Sequence, residues 1–236
     1  MIKSLNFIQK LKVLRPILNG MELDKIGMPI IKANNIDIDD ILELRTTHYS
    51  NLKYAKSKSK TLLNGFCSDD VLERFWNNPL KYVVIFIEYL RIGSPDFGIY
   101  PGMSRYEIEH NVFKNRWLGA LWQLYGIKVL PTIGWGDETT YDVCFSGVEP
   151  GSMVIISTIG CQKNTDIFIE GYHEMMKRIN PPLVIVIGKI MDGMYGKILC
   201  FDYTDTFVSK SSYNQLSFFN NNEIISIEKG GVSCGK

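Results

Sequence analysis

The stretch Met153–Gly188, MVIISTIGCQKNTDIFIEGYHEMMKRINPPLVIVIG, decides the fold class. Met153–Ser157 and Leu183–Gly188 are short apolar runs, and runs of this kind read as strands covered on both faces, as in a parallel sheet. Between them, Asn164 or Thr165 caps a helix in which Ile167, Phe168, Tyr172, Met175 and Met176 share a face; Asn180-Pro181-Pro182 ends it. Strand, helix and strand of these lengths make one βαβ crossover.

The same rhythm extends in both directions. Ser68, Asp69 and Asp70 start a helix through Val71, Leu72, Phe75 and Trp76, closed by Asn77-Asn78-Pro79. Tyr82–Glu88 (YVVIFIE) reads as a strand, followed by the loop Gly93–Gly98. Ser104 and Glu107 form a capping box for a helix reaching about Tyr125, with Gly126 as its stop. Ile127–Ile133 is the next strand despite Pro131, and Lys197–Phe201 is a further one. The chain is therefore α/β with a mainly parallel sheet of βα units. Polar loops after every strand favour a partial or irregular TIM-like barrel, with an open sheet as the alternative. Met28–Lys32 reads as an additional strand, and residues 36–65 show no clear period. Residues 1–205 read as a single domain with a basic N-terminal segment over 1–60, and 206–236 as a peripheral segment and tail.

Across 236 residues, 45% hydrophobic and 22% charged side chains describe an ordinary globular protein and exclude disordered and collagen-like classes. The net charge is +1, but residues 1–60 hold eleven Lys and Arg against six Asp and Glu. Lys53, Lys56, Lys58 and Lys60 make either a phosphate-backbone contact or a solvated loop. Five cysteines without C-x-x-C spacing and three scattered histidines give no zinc pattern and point to reduced thiols in the cytoplasm. No run is long enough to span a membrane. Ile2, Leu5, Ile8, Leu11, Leu14 and Leu18 recur at helical spacing, and this stripe is expected to pack on the body of the protein rather than on a lipid surface.

In a parallel α/β architecture the loops after the strands share one face. That rule gathers Gly93–Pro101, Thr132–Thr140, Thr158–Thr165 and Lys189–Gly196. Asp96 paired with Asp137 or Glu138 can divide acid and base roles if burial raises one of them. The same carboxylates can hold a magnesium ion against a phosphate, or simply cap loops and helices. Arg116, Thr132, Trp135, Ser157 and Thr158 are the candidate ligand contacts, with Trp135 as an aromatic wall and Arg116 equally suited to a structural ion pair.

The segments Ser94-Pro95-Asp96-Phe97, Asn115-Arg116-Trp117, Trp122-Gln123, Pro131-Thr132 and Trp135-Gly136-Asp137-Glu138 resemble, in order and spacing, a family of bacteria, their phages and mobile elements known only as a domain of unknown function. The resemblance covers roughly residues 65–190 and implies a cytoplasmic protein of a phage or mobile element, with no established activity to transfer. Relatives tend to carry a serine where Gly98 stands here. Three functions fit: hydrolysis of a nucleotide or another phosphate-containing small molecule; binding without turnover, as a host-protein inhibitor or nucleotide sponge; and a nucleic-acid-associated replication role for the basic quarter.

Overall fold

A computed structural model describes residues 6–100, 102–203, 216–220, 223–228 and 231–234. In chain order its elements are helices α1 (Phe7–Val13) and α2 (Ile38–Leu42), strands β1 (Arg45–His48) and β2 (Thr61–Asn64), helices α3 (Asp69–Asn77) and α4 (Val83–Phe86), and strand β3 (Arg91–Gly93). There follow α5 (Arg105–Leu124), β4 (Val129–Leu130), α6 (Tyr141–Cys144), β5 (Val154–Ser157), α7 (Thr165–Ile179), β6 (Val184–Ile187) and β7 (Ile198–Phe201). Strands β8 (Leu216–Asn220), β9 (Glu223–Glu228) and β10 (Gly231–Cys234) complete the list.

Strands β1 to β4 form a parallel sheet in chain order, and β5 to β7 continue in the same manner within a second sheet. A parallel bridge between Thr132 and Ile155, with Ile133 N–H donating to Ile155 O at 2.8 Å, stitches the two sheets together. Seven parallel strands thus neighbour one another in sequence order. Antiparallel β8, β9 and β10 extend the second sheet beyond β7.

Side chains alternate between two environments along each strand, as the pleat requires. Leu63, Ile92 and Val129 face Phe75, Trp117 and Trp122 of α3 and α5. Val154, Ile156, Val184 and Val186 face Phe168, Tyr172 and Met175 of α7. The opposite faces, Leu62, Leu130, Ile155, Ile185, Ile187, Leu199 and Phe201, share one cluster. Both faces are covered, which is why these strands read as unbroken apolar runs.

Ser68 and Asn164 stand at the N-cap positions of α3 and α7 without a side-chain cap bond, whereas both ends of α5 and the end of α7 are closed as expected. Ser104 Oγ accepts from Glu107 N at 3.3 Å while Glu107 Oε2 accepts from Ser104 N at 2.9 Å, and Gly126 (φ 78°) terminates α5. Asn180, left-handed at φ 49°, closes α7 before the proline pair. Met28–Lys32 contributes only isolated bridges, Leu23 to Pro29 and Ile31 to Val148. Leu11 of the N-terminal stripe is buried and joins the α3–α5 core, whereas Ile8 and Leu14 are exposed. Ile2 and Leu5, and the boundary drawn at residue 206, lie outside the described residues.

One expectation is corrected. Tyr82–Glu88 is not a strand: its centre is the helical turn α4, and the strand at this place in the order is β3, nine residues later. The aromatic spacing decides it. Tyr82, Phe86 and Tyr89 recur every three to four residues and pack inward, Phe86 meeting Trp122 at 4.8 Å between ring centres. A strand would put Val84 on the same face as Tyr82 and Phe86; instead Val84 is 78% exposed.

Candidate functional site

Beneath the ends of β3 and β4 lies a buried polar network. Ser94 Oγ donates to Asn115 Oδ1 at 2.7 Å and accepts from Thr132 N at 2.8 Å, while Asn115 Nδ2 donates to Thr132 O at 3.1 Å. Arg116 extends the network through its guanidinium, donating to the carbonyls of Ser146 (2.8 Å), Thr132 (3.0 Å) and Cys144 (2.7 Å) and to Asn115 Oδ1 (2.6 Å). Burial lowers Arg116 to about 10, opposed by Cys144, Asp96 and Asp24, so it stays charged at neutral pH. The sequence offered Arg116 as a ligand contact. The structure makes it a staple between α5, the end of β4 and the loop after α6.

Asp96 stands above this network. Gly65, after β2, lies so close that a Cβ there would sit 2.8 Å from Ser94 O and 2.9 Å from Asp96 N; a Cβ on Gly134, after β4, would sit 3.4 Å from Asp96 Oδ1. Asp96 is partly open to solvent, and among the described residues nothing donates a hydrogen bond to its carboxylate. Burial raises its carboxyl to about 7, the charge of Asp69 adds to the rise, and Arg116 opposes it. Asp69, in the first turn of α3, accepts from Gly98 N at 3.2 Å through Oδ1. Two thiols feel the same carboxylates. Burial, then Asp96 and Asp69, push Cys67 up to about 12, and burial with Asp96 raises Cys161, so both stay protonated at neutral pH. The loops after β2 and β4 therefore close on Asp96 at the end of β3.

The remaining candidates serve the loops themselves. Asp137 is exposed and caps the 3-10 turn Glu138–Thr140, its Oδ1 accepting from Thr139 N (3.1 Å) and Thr139 Oγ1 (2.6 Å); Glu138 is exposed beside it. Trp135 is wedged beside Phe168 and Phe145, at 4.9 and 5.8 Å between ring centres, and its indole N–H, pressed against Gly171, has no acceptor among the described residues. Ser157 Oγ donates to Ile187 O at 3.2 Å, and Thr158 Oγ1 accepts from Lys189 N at 2.8 Å; together they clip the loops after β5 and β6. Thr132 Oγ1 is buried without a partner among the described residues.

Lys58 pairs with Glu88 at 2.8 Å and Lys60 pairs with Glu43, which leaves Lys53 and Lys56 as the members of the basic run without an ion pair among the described residues. Among the described residues no three His, Cys, Asp or Glu side chains gather closely enough to hold a metal ion, and no helix is long and apolar enough to cross a membrane. A cleft of about 340 Å³ lies at the other end of the sheet, lined by Met21, Ile30, Lys32, Gln123 and Ile127.

Sequence reasoning missed Asp69, Cys67 and the network partners Ser94 and Asn115 as site components. Asp69 reads as an ordinary acid in a helix first turn, which it also is; its second role depends on a loop 29 residues away. For Cys67 and Ser94 the available signal was position alone, since each follows the end of a strand.

Two phage proteins resemble this chain. It is 31% identical over 137 residues to the Gene 1 protein of Mycobacterium phage L5, covering 57% of this chain and 60% of that one. It is 33% identical over 131 residues to the Gene 1 protein of Mycobacterium phage D29, covering 54% and 48%. The chain thus spans about half the length of these relatives. No solved structure matches it. Residues 25–204, which hold β1 to β7 and every group around Asp96, match the domain of unknown function DUF4417, and the chain belongs to that family.

Proposed function

We propose that this phage-related protein binds and hydrolyses a small polar molecule, of which a nucleotide is the leading example, at the rim centred on Asp96, in the cytoplasm of the host cell. The observation that carries the reading is the state of Asp96: hemmed in by the loops after β2 and β4, partly open to water, unbonded among the described residues, and raised to about 7. A carboxyl poised there is available as base and as acid at neutral pH. As a base it would take a proton from an attacking water; as the resulting acid it would return that proton to the leaving group. Sequential parallel strands and a single inner apolar cluster also favour a barrel-like curl, with this rim as its mouth.

Two neighbouring carboxylates repel a bare phosphate. A phosphate centre at Asp96 and Asp69 would need a divalent cation arriving with the substrate, since magnesium commonly uses one or two carboxylates plus phosphate oxygens. Binding without turnover is the second reading, favoured by Asp137, whose carboxylate is already engaged as a cap by Thr139 N and Thr139 Oγ1.

Incubating the protein with a nucleotide panel, with and without magnesium, and separating the products tests this. Turnover that Asp96→Asn abolishes while the protein stays folded is the expected result. Equal turnover by Asp96→Asn, or intact nucleotides throughout, would overturn hydrolysis at this carboxyl.

A further inference from the structure

Tyr100 lies at the same rim, and its placement says something about the ligand. A Cβ on Gly98 would sit 2.4 Å from Cε2, Cζ and the hydroxyl of Tyr100, so the phenol ring lies directly across the bare backbone of Gly98. That backbone is held on both sides: Gly98 N donates to Asp69 Oδ1 at 3.2 Å, and Gly98 O accepts from Asn111 Nδ2 at 2.7 Å. The charge of Asp69, then burial and the charge of Asp96, raise the Tyr100 hydroxyl, which places it in the field of both carboxylates. Yet Tyr100 is 59% exposed. One edge of the rim is therefore an aromatic ring that rests on a pinned backbone, offers surface to water, and lies beside the Asp69 carboxylate.

We propose that Tyr100 is a stacking platform and that the ligand it selects is a planar heterocycle with adjacent N–H donors on one edge, guanine being the nucleobase of that kind. This deepens the small-molecule reading and rests on it. Stacking on an aromatic side chain is sequence-tolerant, so the ring alone does not choose among bases. Asp69 supplies the choice: it is joined to the backbone beneath the ring by the bond from Gly98 N, and Asp96 keeps the acid–base role. An ionised carboxylate only accepts hydrogen bonds, so it suits the neighbouring ring and amino N–H groups of guanine and not the mixed acceptor–donor edge of adenine.

The test is equilibrium binding of guanosine and adenosine to the full chain at pH 8, followed by calorimetry. Guanosine should bind, with adenosine at least about tenfold weaker. Tyr100→Ala should weaken guanosine about tenfold, within the range that loss of one stacked base contact produces, and Tyr100→Phe should restore most of that loss. Gly98→Ser should also weaken binding, because its Cβ displaces the ring. Circular dichroism checks that each variant is folded; Gly98→Ser and Tyr100→Ala act at an exposed ring, so either one folded suffices. No guanosine binding, equal binding of both nucleosides, or indifference to Tyr100→Ala would overturn the platform. Turnover lost in Asp96→Asn but untouched in Tyr100→Ala would overturn it while leaving the acid–base reading intact. Tyr100-dependent guanosine binding with no nucleotide hydrolysed would keep the platform and remove the hydrolysis.

Discussion

The loops after β3 and β4 each carry an acid, Asp96 and Asp137, and the two acids are held in opposite ways. After β3, neighbouring groups are tied to the rest of the protein: Ser94 to Asn115 and Thr132, and Gly98 to Asp69 and Asn111. Asp96 sits among these bonds and receives none among the described residues. After β4, the loop closes on itself, with Asp137 capping Thr139 and Thr140 Oγ1 accepting from Gly136 N at 3.0 Å. Asp137 faces water. Identical side chains at equivalent places in a βα repeat thus divide into a desolvated, raised carboxyl and a solvated cap, and the difference comes from what the surrounding loops leave unbonded.

The largest expected effect comes from removing what holds the end of β4. Arg116→Met should cost about 3–5 kcal/mol, because it strips donors from three buried carbonyls at once. A urea midpoint within experimental error of the parent would show that these bonds are not what fixes the β4 end. The next effect separates the two acids by pH. Folded Asp96 keeps its proton up to about 7, whereas an unfolded Asp loses it near about 4. Between those values the folded state holds more protons, so this group's contribution falls as pH rises through that window. Asn cannot ionise. Asp96→Asn should therefore stabilise the protein at pH 8 by about 2–4 kcal/mol, the lower figure favoured by partial exposure, and by little near pH 4. Thermal melts at the two pH values measure it, and a destabilised Asp96→Asn at pH 8 would mean that the carboxylate is paired and not strained.

How much of this was readable depended on whether chemistry and neighbours were close in the chain. The 153–188 unit announced itself, since its caps, apolar runs and terminator are all local. So did the Ser104–Glu107 box. β1 did not, because its inward residues are Thr46 and His48, polar side chains buried through contacts such as Asn64 Nδ2 to Thr46 Oγ1 at 2.8 Å. Tyr82–Glu88 misled because six apolar residues in a row satisfy a strand pattern, and only partners such as Trp122 reveal the helical period. For the site, position after a strand was enough to pick out Asp96 and Asp137 alike. Their separation rests on Gly65 and Asp69, from the β2–α3 connection, and on Gly134, from the loop after β4.

A smaller effect probes how tightly the β4 loop is seated. A Cβ on Gly171 of α7 would fall 2.1 Å from Trp135 Nε1. Gly171→Ala should cost about 1–3 kcal/mol through overpacking. Adding Trp135→Phe, whose ring is smaller and lacks the unpartnered N–H, should recover part of it. Strict additivity of the two changes in a double-mutant cycle would mean they do not touch.

The smallest expected effect is the sharpest test of the contrast. Asp137→Ala removes the acceptor for Thr139 N and Thr139 Oγ1, both in an exposed turn where water replaces it. The bond from Thr140 Oγ1 to Asp137 O, at 2.7 Å, uses the backbone and survives. The loss should stay near about 0.5–1 kcal/mol, as for a surface cap. It should leave guanosine affinity as it was, because the groups that surround Asp96 come from Gly65, Gly134, Asp69 and Arg116 and not from this side chain. If Asp137→Ala instead removed ligand binding or turnover from a folded protein, the two acids would be working as the pair that their positions in the chain suggest, and the cap would be only one of Asp137's conformations.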